Sequence, residues 1–202
     1  SPVSTGAGWA HEGPLTHTRA DDLGAAAIEE AVARAGIDAS PIDDVIMGCA
    51  LEQGATGSNI ARQIALRAGL PVTTSGMTMD RQCSSGLMAV ATAAKQIVED
   101  GMSIVVGGGL ESISLVQNEH MNLHRIVDEE LIAIEPNMFV PMLQTAEIVA
   151  QRYNISRDAM DEYGLQSQQR TAAAYAAGKY ADELVAVTCK RTVWDKATGE
   201  AS

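Results

Sequence analysis

The chain has few aromatic side chains, few cysteines and few basic residues. Only 3% of its 202 residues are aromatic, and 14 lysines and arginines face 26 aspartates and glutamates, a net charge of −12. Nucleic acids and anionic membranes bind basic surfaces, so this charge argues against both as main partners. No apolar run approaches the roughly 20 residues that span a bilayer, and the polar start of the chain is not typical of a signal peptide.

Cysteine usage indicates a reducing compartment. The three cysteines form no close-spaced pairs, which does not suit a disulfide scaffold. We therefore expect a cytoplasmic protein. Because 46% of the residues are hydrophobic but almost none are aromatic, alanine and glycine must supply much of the packing, which favours closely spaced helices and strands.

Short apolar runs alternate with helical patterns over the first 110 residues. The runs at 45–47, 77–79 and 104–106 predict buried strands, and residues 18–36, 58–66 and 84–99 predict helices. Thr18 and Asp21 predict a capping box for the first helix. The third helix is so rich in small residues that we expect its first half to be buried all round. Strands that alternate with helices predict an α/β fold with a largely parallel sheet.

The periodicity weakens after about residue 110. Residues 111–143 predict a loop with short helical pieces, and helices are predicted at 144–153 and 157–177, the second with Ser156 as its N-cap. A weak strand is predicted at 185–193. We therefore expect a second, smaller domain inserted after the sheet.

A cysteine at a predicted strand–helix junction is the leading chemical candidate. It is Cys83, in the segment DRQCSSG at 80–86. The first turn of a helix carries partial positive charge and unpaired N–H groups, which favour the nucleophilic thiolate. The alternative is a small buried hydrophobe, which a free cysteine usually is. Cys49 and Cys189 fit that second interpretation better.

Two other patterns carry less weight. His120 and His124 have the i, i+4 spacing of metal ligands on a helix, but a solvated loop is the simpler interpretation, and we expect no metal. The glycines at 107–109 lack the lysine of a P-loop and the spacing of a dinucleotide-binding motif. Close backbone packing explains them better than a phosphate site.

Several segments together resemble one enzyme family. The segments RQCSSGL at 81–87 and VVGGGLES at 105–112 are similar to the nucleophile region of thiolases, the family of acetyl-CoA acetyltransferases and 3-ketoacyl-CoA thiolases. The segments NIARQ at 59–63 and GLP at 69–71 resemble the helix that precedes it. Met142, with TAE at 145–147 and SR at 156–157, resembles the inserted loop domain of the family. In this order the segments cover nearly the whole chain.

The resemblance implies a thiolase-like layered fold and an acyl-transfer mechanism. Residues 1–110 would form the N-terminal half-fold, a mixed, mostly parallel sheet with helices on both faces and without its first strand. Residues 111–202 would form part of the α-rich loop domain that receives coenzyme A. Cys83 would carry the acyl group in the thiolytic cleavage of a 3-ketoacyl-CoA or in the reverse condensation of acetyl-CoA.

The resemblance also implies binding residues and partners. Met142 would line the acyl and pantetheine pocket, and Gln168 would contact coenzyme A. Coenzyme A would be a substrate, with no tightly bound cofactor, and the family is usually homo-oligomeric.

Three features depart from the family. Asp80 stands where asparagine is usual, and its charge would oppose a thiolate at Cys83 if the two were close. Pro141 and Leu143 replace the histidine and glycine that often flank the methionine. The His-containing motif and the second Cys-containing motif of the family have no counterpart before Ser202. We therefore expect an internal segment with little turnover alone, whose exposed apolar surface the second half or another subunit covers.

Two other functions stay open. A decarboxylating ketoacyl synthase of the same fold superfamily also uses a cysteine at this turn, although the contexts of Cys83 and Met142 favour a thiolase. A non-catalytic acyl-CoA-binding or assembly module would keep the fold without the chemistry.

Overall fold

The computed structural model describes residues 2–190, which divide into two compact units. The first unit comprises residues 2–122 and 183–190, and the second comprises residues 123–182. Within residues 2–190, no helix combines the length and the apolar character needed to cross a bilayer.

The first unit alternates strands and helices along the chain, as the sequence predicts. In order, its elements are β1 (Ser4–Thr5), α1 (Ala20–Ala35), β2 (Asp44–Gly48), α2 (Ile60–Arg67), β3 (Ser75–Met79), α3 (Ser85–Val98), β4 (Val105–Gly109), α4 (Ile113–Val116) and β5 (Leu184–Val185). Three of the strands form a parallel sheet in the order β3-β2-β4, and β1 pairs in parallel with β5. Ile46 of the central strand lies between Met77 and Gly107.

The core lies on both faces of the central strand. Val45 and Met47 pack on one face with α1 and α2, whose buried side chains include Ile64. Ile46 points to the other face, where it packs against α3. Successive side chains of a strand point to opposite faces, so an apolar strand is expected to be covered twice. The result is three layers, with the sheet between α1 and α2 on one side and α3 on the other.

The start of α1 differs from the prediction. Arg19 occupies the N-cap position and makes no side-chain capping hydrogen bond. Asp21 instead forms an ion pair with Arg19, with 2.8 Å between Nε and Oδ1. The capping box of Thr18 and Asp21 is therefore wrong, because the helix begins one residue later than that motif requires.

Helix α3 turns its small side chains to the sheet and much of its apolar stripe to solvent. Ala89 and Ala93 are buried, whereas Leu87 is 77% exposed and Val98 is 76% exposed. A Cβ on Gly107 would lie 3.0 Å from the Cα of Val90, so the helix backbone lies close to the strand. The prediction that the first half of this helix is buried all round is wrong, because one face alone meets the described part of the chain.

The second unit is helical. It consists of α5 (Glu129–Ile134), α6 (Met142–Arg152) and α7 (Arg157–Ala176). The Oγ of Ser156 accepts a hydrogen bond from the N–H of Ala159 at 3.2 Å, which confirms the predicted N-cap. Within residues 123–182 only Ala150 is buried, so this unit has almost no core of its own.

The strand predicted at 185–193 is much shorter in the structure. Pairing covers only Leu184–Val185, and residues 186–190 are not in a strand. The end of the predicted strand, residues 191–193, lies outside the described residues.

Candidate active site

Cys83 lies in a turn between the sheet and a helix, as predicted. It is the middle residue of the 3-10 turn Gln82–Ser84, which follows β3 and leads directly into α3. Its side chain is exposed, in contrast to the buried Cys49. A helix of 14 residues begins immediately after this turn, so the sulfur lies at the positive end of the helix dipole.

The residue before the cysteine has an unusual backbone conformation. Gln82 has a φ of 48°, in the left-handed region that side-chain-bearing residues seldom adopt. Asp80 stabilises it, because Oδ1 accepts a hydrogen bond from the backbone N–H of Gln82 at 2.7 Å. The side-chain amide of Gln82 also donates to this carboxylate, at 3.3 Å to Oδ2. The aspartate that departs from the family pattern thus supports the turn that presents Cys83.

Ser85 closes the turn from its other end. Its buried Oγ accepts a hydrogen bond from the N–H of Arg81 at 2.8 Å and donates one to the carbonyl of Gln82 at 2.6 Å. The N–H of Ser84 donates to the carbonyl of Arg81 at 3.1 Å. These bonds hold the backbone on both sides of Cys83 in one conformation.

Glycines at two strand ends let α3 begin directly against the sheet. A Cβ on Gly48, at the end of β2, would overlap the backbone of Ser85. A Cβ on Gly109, at the end of β4, would lie 3.0 Å from the Cα of Gly86. The predicted role of the 107–109 glycines in close packing is confirmed, although they lie within β4 rather than after it. The Cys83 turn is therefore built against the carboxyl ends of the strands, where open α/β sheets bind ligands.

A cleft of about 590 Å³ opens beside Cys83. Its walls come from the Cys83 turn, from the segments that follow β2 and β4, and from α4. We call it the Cys83 cleft. A second cavity of about 380 Å³ is lined mainly by residues 3–16, and it shares the end of β4 and the start of α4 with this cleft.

The segment after β2 begins with a second cysteine, which is buried and not exposed like Cys83. Cys49 follows β2 rather than lying within it, and its N–H donates to the carbonyl of Met79 at 3.0 Å. Burial, together with the hydrogen bond and negative charge of Glu111, raises the pKa of the Cys49 thiol to about 12. Cys49 is therefore a neutral thiol at physiological pH, which supports its interpretation as a structural residue.

The remaining candidates from the sequence are Met142, Gln168 and two histidines. Met142 is the first residue of α6 and is 72% exposed, and Gln168 is exposed in the middle of α7, so both belong to the second unit. Residues 117–128 contain no helix, so the spacing of His120 and His124 does not place them on one helical face.

Known proteins match this fold and this sequence over nearly the full chain. The family model described as "Thiolase, N-terminal domain" matches residues 3–200. The chain belongs to the thiolase family. Among solved structures, the crystal structure of the Bacillus anthracis acetyl-CoA acetyltransferase superposes with a TM-score of 0.81 at 29% identity and covers 100% of this chain. This likeness confirms the α/β thiolase fold expected from the sequence.

Curated relatives agree on the family. A 3-ketoacyl-CoA thiolase of Bacillus subtilis is 39% identical over 93% of this chain. An acetyl-CoA acetyltransferase of Rhizobium meliloti is 37% identical over 88% of it. The chain spans about half the length of these relatives, 47% of each, and 52% of the B. anthracis structure.

Sequence reasoning missed the residues that shape the cleft. Gly48 and Ser85 form the contact between β2 and α3, and Glu111 bonds to the segment after β2. Glu111 was visible in the sequence as part of the segment VVGGGLES. Its partners lie about sixty residues earlier, and nothing in the local pattern indicates them.

Proposed function

We propose that this chain carries the nucleophile of a thiolase-type acyl transfer and that Cys83 is this nucleophile. One observation carries the proposal: Cys83 is exposed at the start of α3 and opens into a cleft at the strand ends. A thiolate suits the task because it attacks thioesters and ketones readily and also leaves readily.

The proposed reaction proceeds in two steps. The Cys83 thiolate attacks the 3-keto carbon of a 3-ketoacyl-CoA, and the bond between C2 and C3 breaks. The departing acetyl-CoA carbanion takes up a proton, and the shortened acyl group stays on sulfur as a thioester. Coenzyme A then loses its thiol proton, attacks this thioester and leaves as acyl-CoA, which restores the Cys83 thiolate. In reverse, two acetyl-CoA molecules condense.

The preformed turn supports this assignment. The hydrogen bonds of Asp80 and Ser85 fix the backbone around the cysteine before any substrate arrives. A group held in position in advance loses less entropy in the transition state. The carboxylate of Asp80 accepts two donors from Gln82, so its charge is partly compensated within the turn.

We extend the proposal to coenzyme A binding by the second unit. Met142 would line the acyl and pantetheine pocket, and Gln168 would contact coenzyme A. In this assignment residues 1–110 supply the half-fold with the nucleophile, and the predicted loop domain at 111–202 would contact coenzyme A through its helical part, the second unit at 123–182. The exposed positions of Met142 and Gln168 leave both available to a ligand.

We further propose that the apolar face of α3 is covered in the working enzyme. This face comprises Leu87, Val90, Ile97 and Val98, which are 44% to 77% exposed. A row of large apolar side chains in contact with water favours association. The partner would be the complementary half of the fold or another copy, in line with a homo-oligomer. Residues 1–202 alone would then become acylated at Cys83 without sustained turnover.

To test the proposal, the chain is incubated with acetyl-CoA or acetoacetyl-CoA, and any acetyl adduct is located by peptide mass spectrometry. Replacing the thiol hydrogen with an acetyl group adds about 42 Da. We expect an adduct at Cys83 that coenzyme A removes, with none in Cys83→Ala. Cys189→Ala is the matched control and should label like the wild type.

The other outcomes point to the alternatives. Binding of acetyl-CoA without an adduct would contradict the proposal and favour a non-catalytic module. A requirement for a malonyl thioester in product formation would favour a ketoacyl synthase.

A further inference from the structure

Glu111 joins two walls of the Cys83 cleft. It follows β4 in the chain, and its Oε1 accepts hydrogen bonds from two backbone N–H groups of the segment after β2. One donor is Ala50, and the other is Leu51 at 3.3 Å. Ala50, Leu51 and Glu111 all line the cleft together with Cys83. We call residues 49–51 the β2 bend.

Two amides of the β2 bend have this carboxylate as their acceptor, while the bend is also held by the Cys49 N–H, which donates to the carbonyl of Met79, and by the Leu51 carbonyl, which accepts from the N–H of Gln53 at 2.9 Å. Residues 49–51 belong to no helix or strand, so the N–H groups of Ala50 and Leu51 receive no partner from the sheet ladder. A charged acceptor makes shorter and stronger hydrogen bonds than a neutral one. Glu111 therefore fixes the bend at two consecutive amides.

A third group of the same bend meets Glu111. Cys49 is buried, and burial first and then the nearby carboxylate of Glu111 raise the pKa of its thiol. Two consecutive amides thus donate to the carboxylate of one exposed residue, and its charge acts on the thiol of the residue before them. A glutamate that only contributed surface charge would bond to water. The bonds of Glu111 to the bend instead indicate a role in shaping the cleft.

We propose that Glu111 is a positioning residue that holds the β2 bend as the wall along which a pantetheine-sized arm reaches Cys83. The inference rests on the proposed function for the identity of that arm. Glu111 acts through the bend and not on the reacting atoms. If the carboxylate is removed, the bend loses its acceptor and moves, and a long substrate arm is affected far more than a small molecule.

Two probes of different size test this role. Iodoacetamide is small and alkylates Cys83 directly. The mixed disulfide of coenzyme A with 2-thiopyridine is as large as the substrate, and attack by Cys83 releases pyridine-2-thione, which is measured by absorbance. Peptide mass spectrometry confirms that both probes react at Cys83.

Four variants separate positioning from general damage. Misplaced reacting groups lose rate steeply, so we expect Glu111→Ala to react roughly tenfold more slowly with the large probe but within about twofold of the wild type with iodoacetamide. Glu111→Gln should recover most of the rate, because its amide oxygen accepts the same two hydrogen bonds. Glu111→Asp keeps the charge but is one methylene too short, and should behave like Glu111→Ala. Glu119→Ala removes a solvent-exposed glutamate outside the cleft and should match the wild type.

Each outcome decides the matter. An unchanged large-probe rate in both Glu111→Ala and Glu111→Asp would overturn the inference, as would equal losses with both probes or no recovery in Glu111→Gln. The decisive quantity is the rate with the large probe divided by the rate with iodoacetamide. If the wild type takes no acetyl group from acetyl-CoA but this ratio still falls in Glu111→Ala, the proposed function fails and the positioning role stands. If Cys83 is acetylated and the ratio does not change, the positioning role fails alone.

Discussion

The two units differ in how their apolar side chains are used. In the first unit Ile46, Ile60 and Ile64 are fully buried around the sheet. In the second unit Leu143 is 86% exposed and Leu165 is 60% exposed. The first unit therefore has its own hydrophobic core, whereas the second is held mainly by interactions within its helices.

The longest helix of the second unit illustrates this difference. None of the 20 residues of α7 is buried. Its support is local: Ser156 caps its start, and Arg157 and Asp161 form an i, i+4 ion pair at 2.9 Å. Such local interactions contribute far less to stability than a buried side chain does. Large mutational effects should therefore be confined to the first unit.

The sharpest contrast is expected between two aliphatic truncations. Ile64→Ala removes a fully buried side chain that contacts α1 at Gly24, and should lower the free energy of unfolding by about 4 kcal/mol. Leu165→Ala in α7 should change it by less than about 0.5 kcal/mol, because the side chain is exposed. Urea unfolding followed by circular dichroism measures both. Similar losses in the two variants would show that the second unit has a core after all.

Replacing a glycine by alanine should destabilise the first unit but stabilise the second. Gly48→Ala forces a Cβ against the backbone of Ser85 and should cost about 2–3 kcal/mol, as overpacking does. Gly164→Ala places a Cβ in open space within α7 and should stabilise that helix by about 0.5–1 kcal/mol. Hydrogen exchange of the α3 and α7 amides reports the two changes separately. A neutral Gly48→Ala would mean that α3 does not begin against β2.

The pH dependence of stability should also differ between the two units. The pKa of the buried Cys49 thiol is raised to about 12, so the folded state keeps its proton while the unfolded chain loses it near pH 9. Keeping this proton stabilises the folded state. The stabilisation is fully present below pH 9, and the free energy of unfolding falls by about 1.4 kcal/mol per pH unit between roughly pH 9 and 12. Unfolding measured across this range should show a shallower decline in Cys49→Ala than in the wild type. An identical pH profile in the two proteins would contradict the burial of this thiol.

In the second unit, the group to compare with the buried Cys49 thiol is an exposed carboxyl group. Arg157 lowers the pKa of the Asp161 carboxyl, but both side chains are exposed to solvent. Water and salt screen such a pair, so Asp161→Asn should leave the stability at pH 7 without measurable change. A clear loss in that variant would indicate that this face of α7 is buried in solution.

The last comparison concerns the starts of two helices. Ser156→Ala removes the capping hydrogen bond of α7 and should cost that helix about 1 kcal/mol. Thr18→Ala should cost nothing measurable, because Arg19 and not Thr18 occupies the N-cap of α1. Hydrogen exchange in the first turn of each helix measures both. A loss in Thr18→Ala equal to that in Ser156→Ala would restore the predicted capping box.

Local signals predicted the elements of the first unit well. The apolar run at 45–47 predicted a strand because a short, almost uniformly apolar run is typical of a strand covered on both faces, and the structure covers it on both. The position of Cys83 between β3 and α3 followed from the same alternation. The side of α3 that faces the sheet was not predictable, because the small residues and the apolar stripe each suggest a buried face.

The chain's own pattern determined the order of strands and helices, the family and the cysteine at the junction, because each depends on residues close together in sequence. Tertiary structure alone decided how the Cys83 cleft is walled. The glycines of two strands, the hydroxyl of Ser85 and the carboxylate of Glu111 meet only when β2 and β4 pair and α3 packs across them. Hydrogen bonds and close contacts depend on distance in space, and segments about sixty residues apart come together only in the folded sheet.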